Sequence, residues 1–94
     1  MLNTIQLVEA IAEIEKMRIH RKHMVILAPT NTLAMLLRDS ENGVPRLSKL
    51  LCRVSPGKNP RFNGVLVIED ESHSEIVVKS LISEHRVRVK YFGG

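Results

Sequence analysis

The sequence predicts a small α/β domain of two or three layers, with a mostly parallel three-stranded sheet and elements in the order α-β-α-α-β-α-β. Three observations carry that expectation. A continuous apolar run, Met24 to Ala28, stops at Pro29 and leads into apolar residues Leu33, Ala34, Leu36 and Leu37 at helical spacing. A second apolar run, Val65 to Ile68, is followed by Ser72-His73-Ser74-Glu75, the S-x-x-E pattern that caps a helix start. Between the runs lies enough chain for helical crossovers, which join parallel strands with a right-handed connection.

Residues Asn3 to about Arg21 open the chain as a helix, with Leu7, Ile11 and Ile14 spaced by three and four and Val8 and Ala12 beside them. Asn3 or Thr4 serves as its cap, and negative charge early with Lys16, Arg18, Arg21 and Lys22 late suits the helix dipole. The apolar stripe fits either a core or a partner helix, including that of a second copy. After the first strand, Thr30 or Asn31 caps a helix to about Arg38. Asp39 to Gly43 is a polar break with Gly43 in a left-handed conformation, and Pro45 starts a short helix whose face is Leu47, Leu50 and Leu51. The stretch Ser55 to Gly64, SPGKNPRFNG, reads as an exposed, mobile loop. Past the second strand, Ile76, Val77 and Leu81 continue the helix that Ser72 caps, the fourth in this order. Val87, Val89 and Tyr91 then alternate with Arg86, Arg88 and Lys90, the pattern of an edge strand with one positive face.

Ninety-four residues make one domain, 1–94, with a modest core. Phe62, Tyr91 and Phe92 are its only aromatic residues, so the core is aliphatic and a platform for stacking bases is not expected. The net charge of +4 favours nucleic acid or an acidic protein partner. Cys52 is the single cysteine, which rules out an internal disulfide and a cysteine-built zinc site. Glu9, Glu13 and Glu15 interrupt any leader-like apolar stretch, and no run is long enough to cross a membrane. The expected setting is a cytoplasm, bacterial or that of an infected host cell, with no membrane partner.

Ligands of open α/β sheets bind at the carboxyl ends of the strands. Three segments converge there in the expected fold: Pro29 to Thr32, Glu69 to His73, and Phe92 to Gly94. Asp70, Glu71 and His73 supply metal-ligand types within four residues, and a divalent ion held by them could engage a phosphate. Asp or Glu ahead of a helix also simply favours its dipole, with Ser72 as cap. Cys52 has no base beside it for nucleophilic work, and His20 and His23 flank Arg21 and Lys22 in a charged turn. The basic residues fall into three groups: Lys16, Arg18, Arg21 and Lys22 at the first helix end; Arg53, Lys58 and Arg61 on the loop; Arg86, Arg88 and Lys90 on the last strand. Spread over three elements, they can follow a phosphate backbone.

Val25 to Ala34, VILAPTNTLA, resembles the strand-loop-helix motif that follows the nucleotide site of P-loop helicase and terminase-type motors, and Val65 to Ser72, VLVIEDES, resembles their strand ending in a magnesium-associated D-E pair. No G-x-x-x-x-G-K-[ST] precedes the first strand, and Gly57-Lys58 stands in the wrong place. The resemblance therefore implies a parallel α/β sheet, not ATP hydrolysis. The expected function is a small non-enzymatic accessory or regulatory protein, of the kind a phage or mobile element encodes, that binds nucleic acid or a nucleoprotein machine and needs no cofactor. The alternatives are an interaction module or inhibitor that self-associates through Leu7, Ile11 and Ile14, and a divalent-metal-dependent phosphate-handling enzyme using Asp70, Glu71 and His73.

Overall fold

The computed structural model describes residues 2–44, 47–52 and 59–91. Helix α1 (Leu2–Glu15) leads through a 3₁₀ turn (Arg21–His23) into strand β1 (Met24–Ala28), followed by α2 (Thr30–Glu41) and the short α3 (Leu47–Leu50). Five strands complete the described chain: β2 (Leu51–Cys52), β3 (Arg61–Phe62), β4 (Val65–Glu69), β5 (Ile76–Ser80) and β6 (Arg86–Val89). They form one six-stranded sheet in the order β2-β3-β4-β1-β5-β6.

The two apolar runs do lie side by side in parallel, with Val25 opposite Leu66 and Leu27 opposite Ile68. The other described pairings, β1–β5, β2–β3, β3–β4 and β5–β6, are antiparallel. The expected mostly parallel three-stranded sheet is thus corrected to a mixed, mostly antiparallel sheet of six strands.

Two local misreadings account for the difference. Ile76-Val77-Val78 is strand, not helix, because three consecutive β-branched side chains pack well on a pleat and lose rotamer freedom in a helix. Ser72 does not cap a helix. Its backbone N–H donates to Asp70 Oδ1 at 2.8 Å and its hydroxyl bonds to the same oxygen, so the S-x-x-E pattern closes a turn instead. In the expected loop 55–64, residues 55–58 lie outside the described residues, but Arg61–Phe62 and Val65–Glu69 form a hairpin around Asn63-Gly64. Both turn residues have positive φ, 51° and 84°, as a two-residue type I′ turn requires. Gly43 is left-handed as expected, with φ 76°.

All three helices pack on one face of the sheet. The core unites Leu7, Ala10, Ile11 and Ile14 of α1, Leu36 of α2 and Leu47 of α3 with Met24, Ile26, Val67, Ile76, Val78 and Val89 of the sheet. The expected partner-binding stripe Leu7, Ile11 and Ile14 is therefore corrected to core: at 0–1 % exposure these side chains are consumed by the domain's own sheet and are not available to a second helix. Tyr91 and Asp39 close the same face, the phenol donating to the Asp39 carboxylate at 2.8 Å. Burial first, then the bond to Asp39 and its negative charge, hold the Tyr91 pKa above the ordinary tyrosine value. No helix among the described residues is long and apolar enough to cross a membrane.

Two variants test this packing. Among the described residues no hydrogen-bond partner reaches the buried Thr4 hydroxyl. A buried unmatched hydroxyl costs about 1–3 kcal/mol, so Thr4→Val should raise the urea midpoint, by up to about that stability. Tyr91→Phe should lower stability by about 1–3 kcal/mol at neutral pH, because the Asp39 carboxylate loses a buried donor. A folded-state tyrosine pKa above the unfolded value contributes stability that is fully present below about pH 10 and fades at higher pH. The alkaline fall in midpoint should accordingly be shallower in Tyr91→Phe than in the parent chain.

Candidate functional site

Two surfaces need consideration, the rim at the carboxyl end of β1 and the sheet face without helices. The rim arises from topology. β4 and β5 flank β1 on opposite sides and run in opposite senses, so the link from Asp70 to Glu75 must pass over the end of β1, where α2 begins. The Asp70 N–H donates to Ala28 O at 2.8 Å, extending the parallel ladder by one bond. The next residue reaches the helix: Glu71 Oε1 accepts from the backbone N–H of Thr30. Neither Thr30 nor Asn31 caps α2 with its own side chain; Pro29 occupies the cap position and makes no such bond. Glu71 supplies that acceptor from 41 residues away and places negative charge where the helix dipole favours it.

Bonds from Thr30, its side chain first and its backbone second, hold the Glu71 carboxyl below 4.5 against opposing desolvation and the charge of Asp70. Bonds from the Ser72 hydroxyl and then its backbone hold Asp70 below 3.8 in the same way. Of the three expected metal ligands, the two carboxylates, Asp70 and Glu71, thus have oxygens engaged in local structure. Among the described residues no three His, Cys, Asp or Glu side chains come together as a metal-binding group. Of the three segments expected at the rim, the first two meet, while Phe92 to Gly94 lies outside the described residues.

The helix-free face is built by strand alternation. Side chains of Val25 and Leu27, Leu66 and Ile68, and Val77 and Lys79 share it with Cys52, Arg61, Arg86 and Arg88. The registers align them into two transverse rows. One runs Arg61-Leu66-Val25-Lys79-Arg86 across five strands, about 19 Å at the usual strand spacing. The other runs Ile68-Leu27-Val77-Arg88. The first row places Leu66 and Val25 between Arg61 and the pair Lys79 and Arg86; the second is aliphatic except for Arg88 at its β6 end. Although no described helix covers this face, Val25 and Val77 are only 3 % and 1 % exposed. Their cross-strand neighbours Lys79 and Arg88 have long methylene stems, the residues best suited to shield an apolar sheet while keeping charge in water. No carboxylate stands at a strand position of this face; Glu75 precedes β5 and borders a shallow depression with His73 and Arg88.

The expected basic residues separate accordingly. Arg61, Arg86 and Arg88 are exposed on the common face, and Lys90 is exposed just after β6. Lys16, Arg18 and Lys22 are exposed at the end of α1 and the following turn, away from the strand positions. Arg21 is occupied: its guanidinium pairs with both Glu15 oxygens at 3.0 and 3.2 Å and donates to Asn63 O and Oδ1 at 3.1 Å, tying α1 to the β3–β4 turn. Arg53 and Lys58 lie outside the described residues. Lys79 is a member of the face that the sequence reading missed, because its segment was assigned to a helix; the Ile76-Val77-Val78 run was the available signal. Comparison with protein-family models, curated proteins and solved structures gave no match.

The rim yields a test by pH. Because the folded-state pKa of Glu71 lies below its unfolded value, its contribution to stability is present above about 4.5 and is lost as pH falls through the folded value. Glu71→Gln keeps an acceptor but cannot titrate. Its urea midpoint should be lower than the parent's near pH 7 and should change less between pH 6 and pH 3, as followed by circular dichroism.

Proposed function

We propose that this chain is a small accessory protein that binds nucleic acid by laying its phosphate backbone across the helix-free sheet face. The observation that carries this reading is the transverse row Arg61-Leu66-Val25-Lys79-Arg86 with Arg88 in the next row: cations from β3, β5 and β6 on one surface, without a carboxylate at any of its strand positions. Phosphate contact alone gives affinity that depends on salt and little on sequence. Among the described residues the strand positions of this face carry no aromatic side chain for stacking bases, so backbone contact is the mode their chemistry fits.

Fluorescence anisotropy with a labelled single-stranded 20-mer and its duplex, at 50 and 200 mM salt, tests the proposal. With about four phosphates neutralised, affinity should fall roughly 50-fold for the single strand and roughly 150-fold for the duplex over that range. The double variant Arg86→Glu/Arg88→Glu should bind at least tenfold more weakly with an unchanged circular dichroism spectrum. Binding that ignores salt, or a double variant as tight as the parent, would sink this reading.

A further inference from the structure

The edge of the sheet at β6 has a property distinct from its face. The Ser80 N–H donates to His85 O at 3.0 Å. Antiparallel ladders alternate bonded and non-bonded residue pairs, so Val78 with Val87 and Ile76 with Val89 are the bonded pairs that follow. The opposite side of β5 agrees: the Leu81 N–H donates to His23 O at 2.7 Å, which assigns Lys79 and Val77 to bonding with β1. Arg86 and Arg88 therefore turn their backbone N–H and C=O groups away from β5, toward the edge where the strand order ends.

Helix α1 runs beside this edge and completes a groove of about 420 Å³, with Glu9, Ala10 and Glu13 on the helix side and residues 87–90, Arg88 and Lys90 included, on the strand side. An extended chain added to β6 would set one row of its side chains toward that helix and the other beside Arg86, Arg88 and Lys90.

We propose that β6 accepts an extended partner peptide by strand addition, antiparallel, with acidic residues opposite Arg86 and Arg88 and aliphatic residues in the α1 groove. Strand addition draws affinity from main-chain bonds and specificity from alternate side chains. Charge complementarity selects the acidic row, since opposite charges across a strand pair stabilise it and like charges destabilise it. The same rule disfavours a second copy of this chain. Symmetric pairing of β6 with itself, centred anywhere on Arg86 to Arg88, sets arginine opposite arginine. The inference rests on edge backbone groups and the groove, so it stands whether or not nucleic acid binds the face.

The test uses the unmodified chain and capped peptides of sequence Glu-Val-Glu-Val-Glu, followed by amide NMR. Addition of this peptide should shift the Arg86 and Arg88 amide signals and slow their hydrogen exchange. In the stated geometry the residues opposite Arg86 and Arg88 are the ones that exchange main-chain bonds with them. N-methylation of the glutamate amides should then weaken binding at least tenfold, whereas N-methylation of the valine amides should leave it nearly unchanged. Lys-Val-Lys-Val-Lys should bind at least tenfold more weakly than the acidic peptide. The proposal is overturned if the two N-methylated peptides bind alike, if the lysine peptide binds as well as the acidic one, or if β6 amides do not respond.

Discussion

Strand β1 sits between a parallel neighbour, β4, and an antiparallel one, β5, and the rest of the molecule is arranged around that mixed pairing. The chain leaving β1 returns to a parallel partner only after a long excursion, and α2 and α3 occupy it on one side of the sheet. The chain leaving β4 needs only a short link to reach an antiparallel partner, and that link has no room for a helix. One face therefore collects every described helix and the whole apolar cluster, while the other carries no described helix, although Val25 and Val77 are buried there too. The difference between the faces is chemical as well as geometric. Alternation sends Met24, Ile26, Val67 and Val78 to the helices and sends Lys79, Arg86 and Arg88 to water.

Strong local signals were readable from sequence, and contacts remote in sequence were not. Met24 to Ala28 and Val65 to Ile68 had few alternatives to buried strands, and their parallel alignment follows from the length of chain between them. The first helix was readable from its stripe, but whether Leu7, Ile11 and Ile14 met a sheet or a partner depended on tertiary packing. At Ser72-His73-Ser74-Glu75 a correct motif was matched to the wrong structure, because Ser72 has a nearer acceptor in Asp70. Asn63-Gly64 carried the I′ hairpin signal in plain form, yet the prolines and glycines around it drew attention to loop character instead. The basic face was half legible: alternation exposed Arg86 and Arg88, but Lys79 could join them only once β5 was recognised as a strand. The role of Glu71 was legible in type, a carboxylate for a helix start, while the helix it serves lies 41 residues earlier in the chain.

Charge in this protein is divided between groups that hold the fold and groups left to solvent. Arg21 makes four hydrogen bonds to Glu15 and Asn63, and Asp39 is buried against Tyr91. Glu71 and Asp70 close the rim over β1. On the helix-free face Arg61, Arg86 and Arg88 are exposed, while Lys79 is half-buried beside Val25. Formal net charge hides this division, since it counts a guanidinium engaged with Glu15 and Asn63 the same as one left to solvent.

The mixed pairing at β1 also has a kinetic consequence. The β3–β4 and β5–β6 hairpins join residues close in sequence, and such turns form in microseconds. Bringing Val25 against Leu66 closes a loop of roughly forty residues, whose entropy must be surrendered before the contact returns any energy. The hairpins are thus expected to assemble early as two independent wings, and the rate of folding to be governed by the moment β1 slots between them.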